Sequence, residues 1–288
     1  MSTASFSVMP LAMSTFGAVV NDIRLSEISD ATFDQLYRTW LDYCLLIFPG
    51  QHLDRAQQVA FARRFGALEF DYIPISNVRA DGRVRHDEQS DDIVKVLKGN
   101  MGWHCDSTYM PVQAKGAVFS AQVVPKTGGE TGWADMRASY DALDATTREQ
   151  IGSLRAYHSF HYSQAKVGHV PQAGDEYSGY GFGVKDAPLR PLVKVHAQTG
   201  RKLLAIGRHA YGIHGMAESE SEQFLSSLTE FACQAPRVYH HHWTPGDVVL
   251  WDNRSLMHRA CPWDMREPRV MHHSRIAGDP VAEFAAHA

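Results

Sequence analysis

The 288-residue sequence predicts a mostly β fold with flanking helices, built on a double-stranded β-helix (jelly-roll) core. Three observations lead there. Many short apolar runs are separated by Gly and Pro turns, helical patterns gather mainly in the early part of the chain, and no repeat or Pro/Ser linker divides it. Residues 1–288 are therefore expected to form a single domain, within the size that large β domains reach.

In chain order, Pro10 to Val20 reads as an opening strand. A helix follows with Asp30 as N-cap, because Phe33, Leu36, Tyr37, Trp40, Leu41 and Cys44 recur at helical spacing. It runs into the apolar strand Leu45 to Phe48, closed by Pro49-Gly50. A second helix begins near Asp54 and ends at Gly66. Residues 71–100 are mixed and polar and predict a loop-rich edge or lid, with Asp81-Gly82 as a turn. Ala117 to Val124 alternates as a strand, Ala138 to Leu154 is helical, and Arg155 to Tyr162 reads as a strand. The Gly- and Tyr-rich stretch Gly168 to Gly183 predicts a mobile active-site loop. Strands are expected at Leu192 to His196, Leu203 to Ile206, Val238 to Trp243, Val248 to Trp251 and Arg269 to Ile276, with a helix from Ser221 to Cys233.

A charged fraction of 21% and a hydrophobic fraction of 44% suit a soluble chain with a substantial core. A net charge of only -4 gives no basis for a nucleic-acid surface. Four scattered cysteines (Cys44, Cys105, Cys233, Cys261) without a C-x-x-C exclude a disulfide framework and point to reduced thiols in a cytoplasmic setting. No run of 18 apolar residues exists, and the uncharged N-terminal stretch lacks a basic region before an apolar one, so neither a membrane span nor a signal peptide is expected.

The chemistry concentrates in two places. In Trp103-His104-Cys105-Asp106, strand alternation projects His104 and Asp106 to one side and Cys105 to the other. Far downstream, His258 can return to the same mouth after the turn Asp252-Asn253-Arg254. Two imidazoles and one carboxylate make the facial ligand set of non-haem Fe(II), with no thiolate needed. A lone His-x-Asp is commonly a surface pair; the distal His followed by Arg269 narrows the reading. Arg269 opens a strand on which 269, 271, 273 and 275 share a face, so its guanidinium points inward and asks for a carboxylate, either a ligand's or a protein acid's. The turn Gly128-Gly129-Glu130-Thr131 delivers a hydroxyl that can share that carboxylate. The run His240-His241-His242 invites a metal reading, yet no carboxylate joins it in sequence, and an ordinary polar strand face is preferred. Cys105 reads as a packed thiol.

Taken together, these pieces resemble the taurine dioxygenase family of Fe(II)/2-oxoglutarate enzymes over nearly the whole chain. The resemblance is carried by Gly17-Ala18, Phe65-Gly66-Ala67-Leu68-Glu69, Trp103 to Tyr109, Gly128 to Thr131, Pro245 to Arg254, His258-Arg259-Ala260 and Arg269-Val270-Met271. It implies Fe(II) on His104, Asp106 and His258, 2-oxoglutarate held by Thr131 and Arg269, and O2 as oxidant, with no catalytic group beyond the metal centre. Gly99 to His104 and Met271 to Arg275 are most similar to aryloxyalkanoate dioxygenases, of the type acting on (S)-enantiomers such as (S)-dichlorprop. That implies a small carboxylate substrate, hydroxylated at its ether carbon to give a phenol and a 2-oxo acid beside succinate and CO2. Where many family members place a substrate-binding Arg, four residues after the 2-oxoglutarate Arg, this chain has His273. Arg208, Arg275, His273, Asn100 and Tyr109 are the candidate substrate contacts. A homo-oligomer without nucleic-acid or membrane partners is expected. The alternatives are a taurine- or alkylsulfate-type dioxygenase, a zinc hydrolase on the same three ligands, and a non-catalytic binding barrel.

Overall fold

A computed structural model of the protein describes residues 6–85, 91–168 and 187–285. It opens with a hairpin of β1 (Ser7–Pro10) and β2 (Ala18–Asn21) in place of the single strand predicted over Pro10 to Val20. The chain reverses there because Met13 and Gly17 both take positive φ. Helix α1 (Asp30–Tyr43) is capped by the Ser29 hydroxyl, which accepts from Thr32 N, so Asp30 is the first helical residue and not the cap. Strand β3 (Leu45–Phe48) and helix α2 (Arg55–Arg63) follow; Asp54 and Gln57 close a reciprocal capping box on α2. Two regular elements, β4 (Leu68–Ser76) and α3 (Asp92–Gly99), occupy much of the stretch expected to be loop-rich.

Next come β5 (Gly116–Val123), β6 (Thr131–Asp135), α4 (Met136–Asp141) and α5 (Ala145–Ile151). The single helix predicted over Ala138 to Leu154 is split because the Asp144 carboxylate caps Thr147 N and starts a new one. Strand β7 (Arg155–His158) ends four residues early, since Ser159 caps α6 (Phe160–Ala165) in the same way. Beyond Gly168, the predicted glycine-rich loop lies outside the described residues. The remainder is β8 (Leu189–Pro191), β9 (Val193–Val195), β10 (Lys202–Leu204), β11 (Ala210–Ile213), α7 (Glu218–Ala232), β12 (Val238–His241), β13 (Val248–Asp252), β14 (Leu256–Ala260) and β15 (Val270–Ile276).

A seven-stranded sheet in the order β1-β2-β3-β13-β5-β15-β4 faces a three-stranded sheet β12-β6-β14, giving the jelly-roll core. Smaller sheets β11-β7-β8 and β10-β9 complete the architecture. Strand alternation divides the apolar residues into layers. From β5, Ala117, Phe119 and Ala121 point between the sheets, as do Val249 and Trp251 from β13, meeting Trp133, Leu256 and Met271. The other face of the large sheet, with Val118, Val248 and Leu250, is covered by Leu36 and Trp40 of α1 and Phe61 of α2. Ala134 and Met257, on the outer face of the small sheet, pack against α4, α5 and α7. No helix among the described residues is long and apolar enough to cross a membrane.

Candidate active site

His104 and His258 form an isolated antiparallel bridge: His104 N donates to His258 O at 3.0 Å and His258 N to His104 O at 2.7 Å. Their rings lie 4.3 Å apart between centroids. This backbone pairing brings His104 against His258 of β14, a strand that the sequence did not announce, across 154 positions of sequence. Gly207 makes room for it. At φ +123°, a Cβ there would sit 3.0 Å from Trp103 O and 3.3 Å from His104 Cα.

The Nδ1 of His104 lies 2.7 Å from Gly102 O, which can only accept, so the proton sits on Nδ1 and the Nε2 lone pair is free for a cation. Burial, the largest influence, holds His104 well below the usual imidazole range and pushes His258 down to about 3, so both rings are neutral near pH 7. Asp106 is gripped through its backbone by the buried Asn253 side chain, which accepts from Asp106 N at 2.7 Å and donates to Asp106 O at 3.0 Å. Its Oδ1 accepts from Arg275 Nη2 at 2.8 Å. Its Oδ2 is buried without a hydrogen-bond partner, 3.7 Å from His258 Nε2. One ligand atom from each of His104, Asp106 and His258 lies within 4.8 Å of the others, the one such metal-sized cluster among the described residues. An unpartnered buried carboxylate oxygen beside two neutral imidazoles fits a divalent cation. Cys105 points away, its thiol against Leu256 O, and burial pushes its pKa far up.

Arg269 occupies the same cavity and is 2% exposed. Its Nε donates to Gly129 O at 3.1 Å and its guanidinium lies over Trp263, but among the described residues it has no carboxylate partner. Burial lowers its pKa to about 10, so it remains a cation at neutral pH. Gly129, at φ +71°, leaves space where a Cβ would press within 3.3 Å of the arginine side chain. The Thr131 hydroxyl accepts from Trp243 Nε1 at 2.9 Å and lies 3.5 Å from Arg269 Nη2, which leaves its own hydrogen for an acceptor in the cavity. Such a pair fits a dicarboxylate whose far end reaches past the metal cluster.

Asn100, Tyr109, His273 and Arg275 also line this cavity, whereas Arg208 does not. Arg208 donates to Ser163 O and lines a separate pocket behind Trp103. The next residue, His209, faces the metal cluster, its ring 5.6 Å from that of His104. Of these two neighbours, His209 lines the cavity and Arg208 lines the adjoining pocket. Ile75, Phe119, Phe160, Trp251, Arg259 and Ala260 complete the lining, and none of them is among the contacts expected from sequence. Of the histidine run, His241 pairs with Asp247 at 3.0 Å and His242 with Glu130 at 3.2 Å, while the ring of His240 lies near Trp103; the three face different partners.

Residues 7–276 match the family model for the taurine catabolism dioxygenase TauD, TfdA family. The chain is 60% identical over 282 residues to an (S)-phenoxypropionate/alpha-ketoglutarate-dioxygenase of Sphingobium herbicidovorans, covering 98% of each. It is 58% identical to a protein of that same name from Delftia acidovorans, covering 94% of this chain and 95% of the other. Among solved structures, AAD-2 in complex with Mn(II) and N-oxalylglycine superposes with a TM-score of 0.88 at 34% identity, over 99% of this chain and all of that one.

Proposed function

This chain belongs to the taurine catabolism dioxygenase TauD, TfdA family, and on that premise we propose that it hydroxylates the ether carbon of an (S)-2-aryloxypropanoate such as (S)-dichlorprop. It is an Fe(II)/2-oxoglutarate-dependent dioxygenase. The observation that carries the assignment is one cavity holding both features: three converging ligands with an unpartnered Asp106 oxygen, and a buried Arg269 that pairs with no acid among the described residues.

In this reading His104, Asp106 and His258 hold the metal on one face, and Arg269 with Thr131 holds the distal carboxylate of 2-oxoglutarate. When bound, iron, 2-oxoglutarate and O2 supply the oxidation that replaces a C–H by C–OH, with succinate and CO2 formed from the co-substrate. The chain's residues decide where that falls. Phe119, Phe160, Trp251 and Ile75 offer an apolar wall for an aryl ring, while Asn100, Tyr109 and His273 offer polar atoms for the substrate carboxylate. The product carries both a hydroxyl and an aryloxy group on one carbon; the hydroxyl proton passes to the aryl oxygen as the C–O bond breaks, giving a phenol and pyruvate. All four cysteines are free, which supports the reducing, cytoplasmic setting proposed for the enzyme.

The test is Fe(II) protein reconstituted without oxygen, then given 2-oxoglutarate, air and each enantiomer of dichlorprop. One phenol per O2 consumed, faster with the (S) form, is expected. Release of sulfate or sulfite from organosulfur anions, without phenol from dichlorprop, moves the enzyme to the taurine or alkylsulfate side of the family. Turnover without O2 or 2-oxoglutarate defeats the oxidative reading.

A further inference from the structure

Asp106 is the one anionic ligand of the proposed centre, and its two oxygens meet different surroundings. Oδ2 has no hydrogen-bond partner and looks toward the His258 and His273 Nε2 atoms, 3.7 and 3.6 Å away. Oδ1 is taken by Arg275 Nη2 at 2.8 Å. Arg275 is itself immobilised. Its Nη1 donates to Ser107 Oγ at 3.2 Å, the Ser107 hydroxyl donates to Glu69 Oε2 at 2.8 Å, and Glu69 lies 3.8 Å from the guanidinium. The guanidinium also sits over the Phe70 ring at 4.5 Å. Two carboxylates, Asp106 and Glu69, therefore balance one buried cation. Arg269, by contrast, forms no ion pair with an acid among the described residues.

We propose that Arg275 is a positioning residue that holds the far oxygen of Asp106 and so fixes the direction in which Oδ2 is offered to a metal, and that Arg275 does not anchor the substrate carboxylate. The inference rests on the metal centre proposed above. A carboxylate left free to rotate would offer its lone pairs to a cation in many orientations, few of them converging with His104 and His258. A charge-assisted hydrogen bond to Oδ1 fixes the plane of the carboxylate, and Asn253 fixes the backbone from which it projects. Because Asp106 and Glu69 already neutralise the guanidinium, its removal costs orientation more than it relieves repulsion of a cation.

The test is Mn(II) titration of the metal-free full-length protein with 2-oxoglutarate present, followed calorimetrically, alongside steady-state kinetics. Arg275→Ala is expected to weaken Mn(II) binding roughly 10–100-fold, as outer-sphere substitutions do. Its kcat should drop while the aryloxypropanoate KM stays within about threefold of wild type, and Arg275→Lys should restore part of the Mn(II) affinity. Ser107→Ala, which leaves the ion pair in place, should weaken Mn(II) binding less and in the same direction; it carries the test if Arg275→Ala does not fold. Unchanged or tighter Mn(II) binding in whichever of the two variants is folded overturns the proposal. So does a tenfold rise in substrate KM with Mn(II) affinity intact, which would make Arg275 a substrate anchor. Failure of the wild-type protein to bind Mn(II) at all is a different result, because it removes the metal centre itself.

Discussion

Two arginines six positions apart, Arg269 and Arg275, have similar burial and opposite surroundings, and that difference decides what each can do. Arg269 has no carboxylate partner among the described residues; Arg275 pairs with Asp106 and lies beside Glu69. Removing Arg269 should remove a charged hydrogen bond worth about 1.5–3 kcal/mol. Arg269→Ala is accordingly expected to raise the KM for 2-oxoglutarate roughly 10–100-fold while kcat at saturation changes far less; an unchanged KM places the co-substrate anchor elsewhere. His104→Ala and Asp106→Ala should each abolish phenol release, since each removes one of the three ligands of the proposed metal centre. Cys105 sits between the two ligands, yet burial pushes its thiol pKa up and its side chain faces Leu256 O. Iodoacetamide should leave Cys105 unmodified in the folded protein, as judged by peptide mass mapping, and rapid alkylation there would mean the strand alternates the other way.

At the scale of the element, the turn between β13 and β14 does more than reverse the chain. Within Asp252-Asn253-Arg254, Asn253 satisfies the Asp106 N–H and accepts no substitute for its two donated bonds, to Asp106 O and Ala114 O. Asn253→Ala leaves buried backbone groups unpaired, each costing about 1–3 kcal/mol. Urea denaturation should show a loss of stability in that range or beyond, together with weaker Mn(II) binding; full stability would show that water replaces the amide. The elements missed in sequence share a cause. Strand β4 is an edge strand, half-buried along most of its length and interrupted by Pro74, so it shows no clean alternation. Helix α3 packs Val94, Val96 and Leu97 but is rich in β-branched residues, and eight positions give too little periodicity to separate helix from loop. Helices α1 and α2 and strands β3, β5 and β13 were legible because each packs against a continuous core layer that imposes a period.

For the whole molecule, acid should be the sensitive direction. His158 is buried, neither ring nitrogen has a hydrogen-bond partner among the described residues, and burial pushes its pKa down to about 3. An unfolded histidine titrates near its ordinary value of 6.5, so between there and pH 3 the unfolded chain binds the extra proton. Stability from this group is complete above that ordinary value and falls as pH drops toward 3, by about 1.4 kcal/mol per pH unit. Thermal melts of metal-free protein between pH 7 and 5 should show a falling Tm, with a shallower fall in His158→Gln; parallel slopes would assign the effect to other groups. Mn(II) with 2-oxoglutarate should raise Tm, and EDTA should reverse the rise, because ligands that bind only the folded state stabilise it by mass action.

What the sequence by itself determined is the ligand types and their order along the chain, the inward row from Arg269 and the jelly-roll class. These depend on local periodicity, which neighbouring residues carry. The strand expected under His104 to Asp106 is instead an isolated bridge at His104 running into a turn. Only the tertiary structure decided which partner each inward group meets. Sequence alone could not tell that Arg275 meets Asp106 while Arg269 pairs with no acid among the described residues, that His209 and not Arg208 lines the cavity, or that Trp243 donates to the Thr131 hydroxyl. Those pairings join positions more than a hundred residues apart through sheet register. One step of register exchanges the faces, and no local pattern encodes that choice.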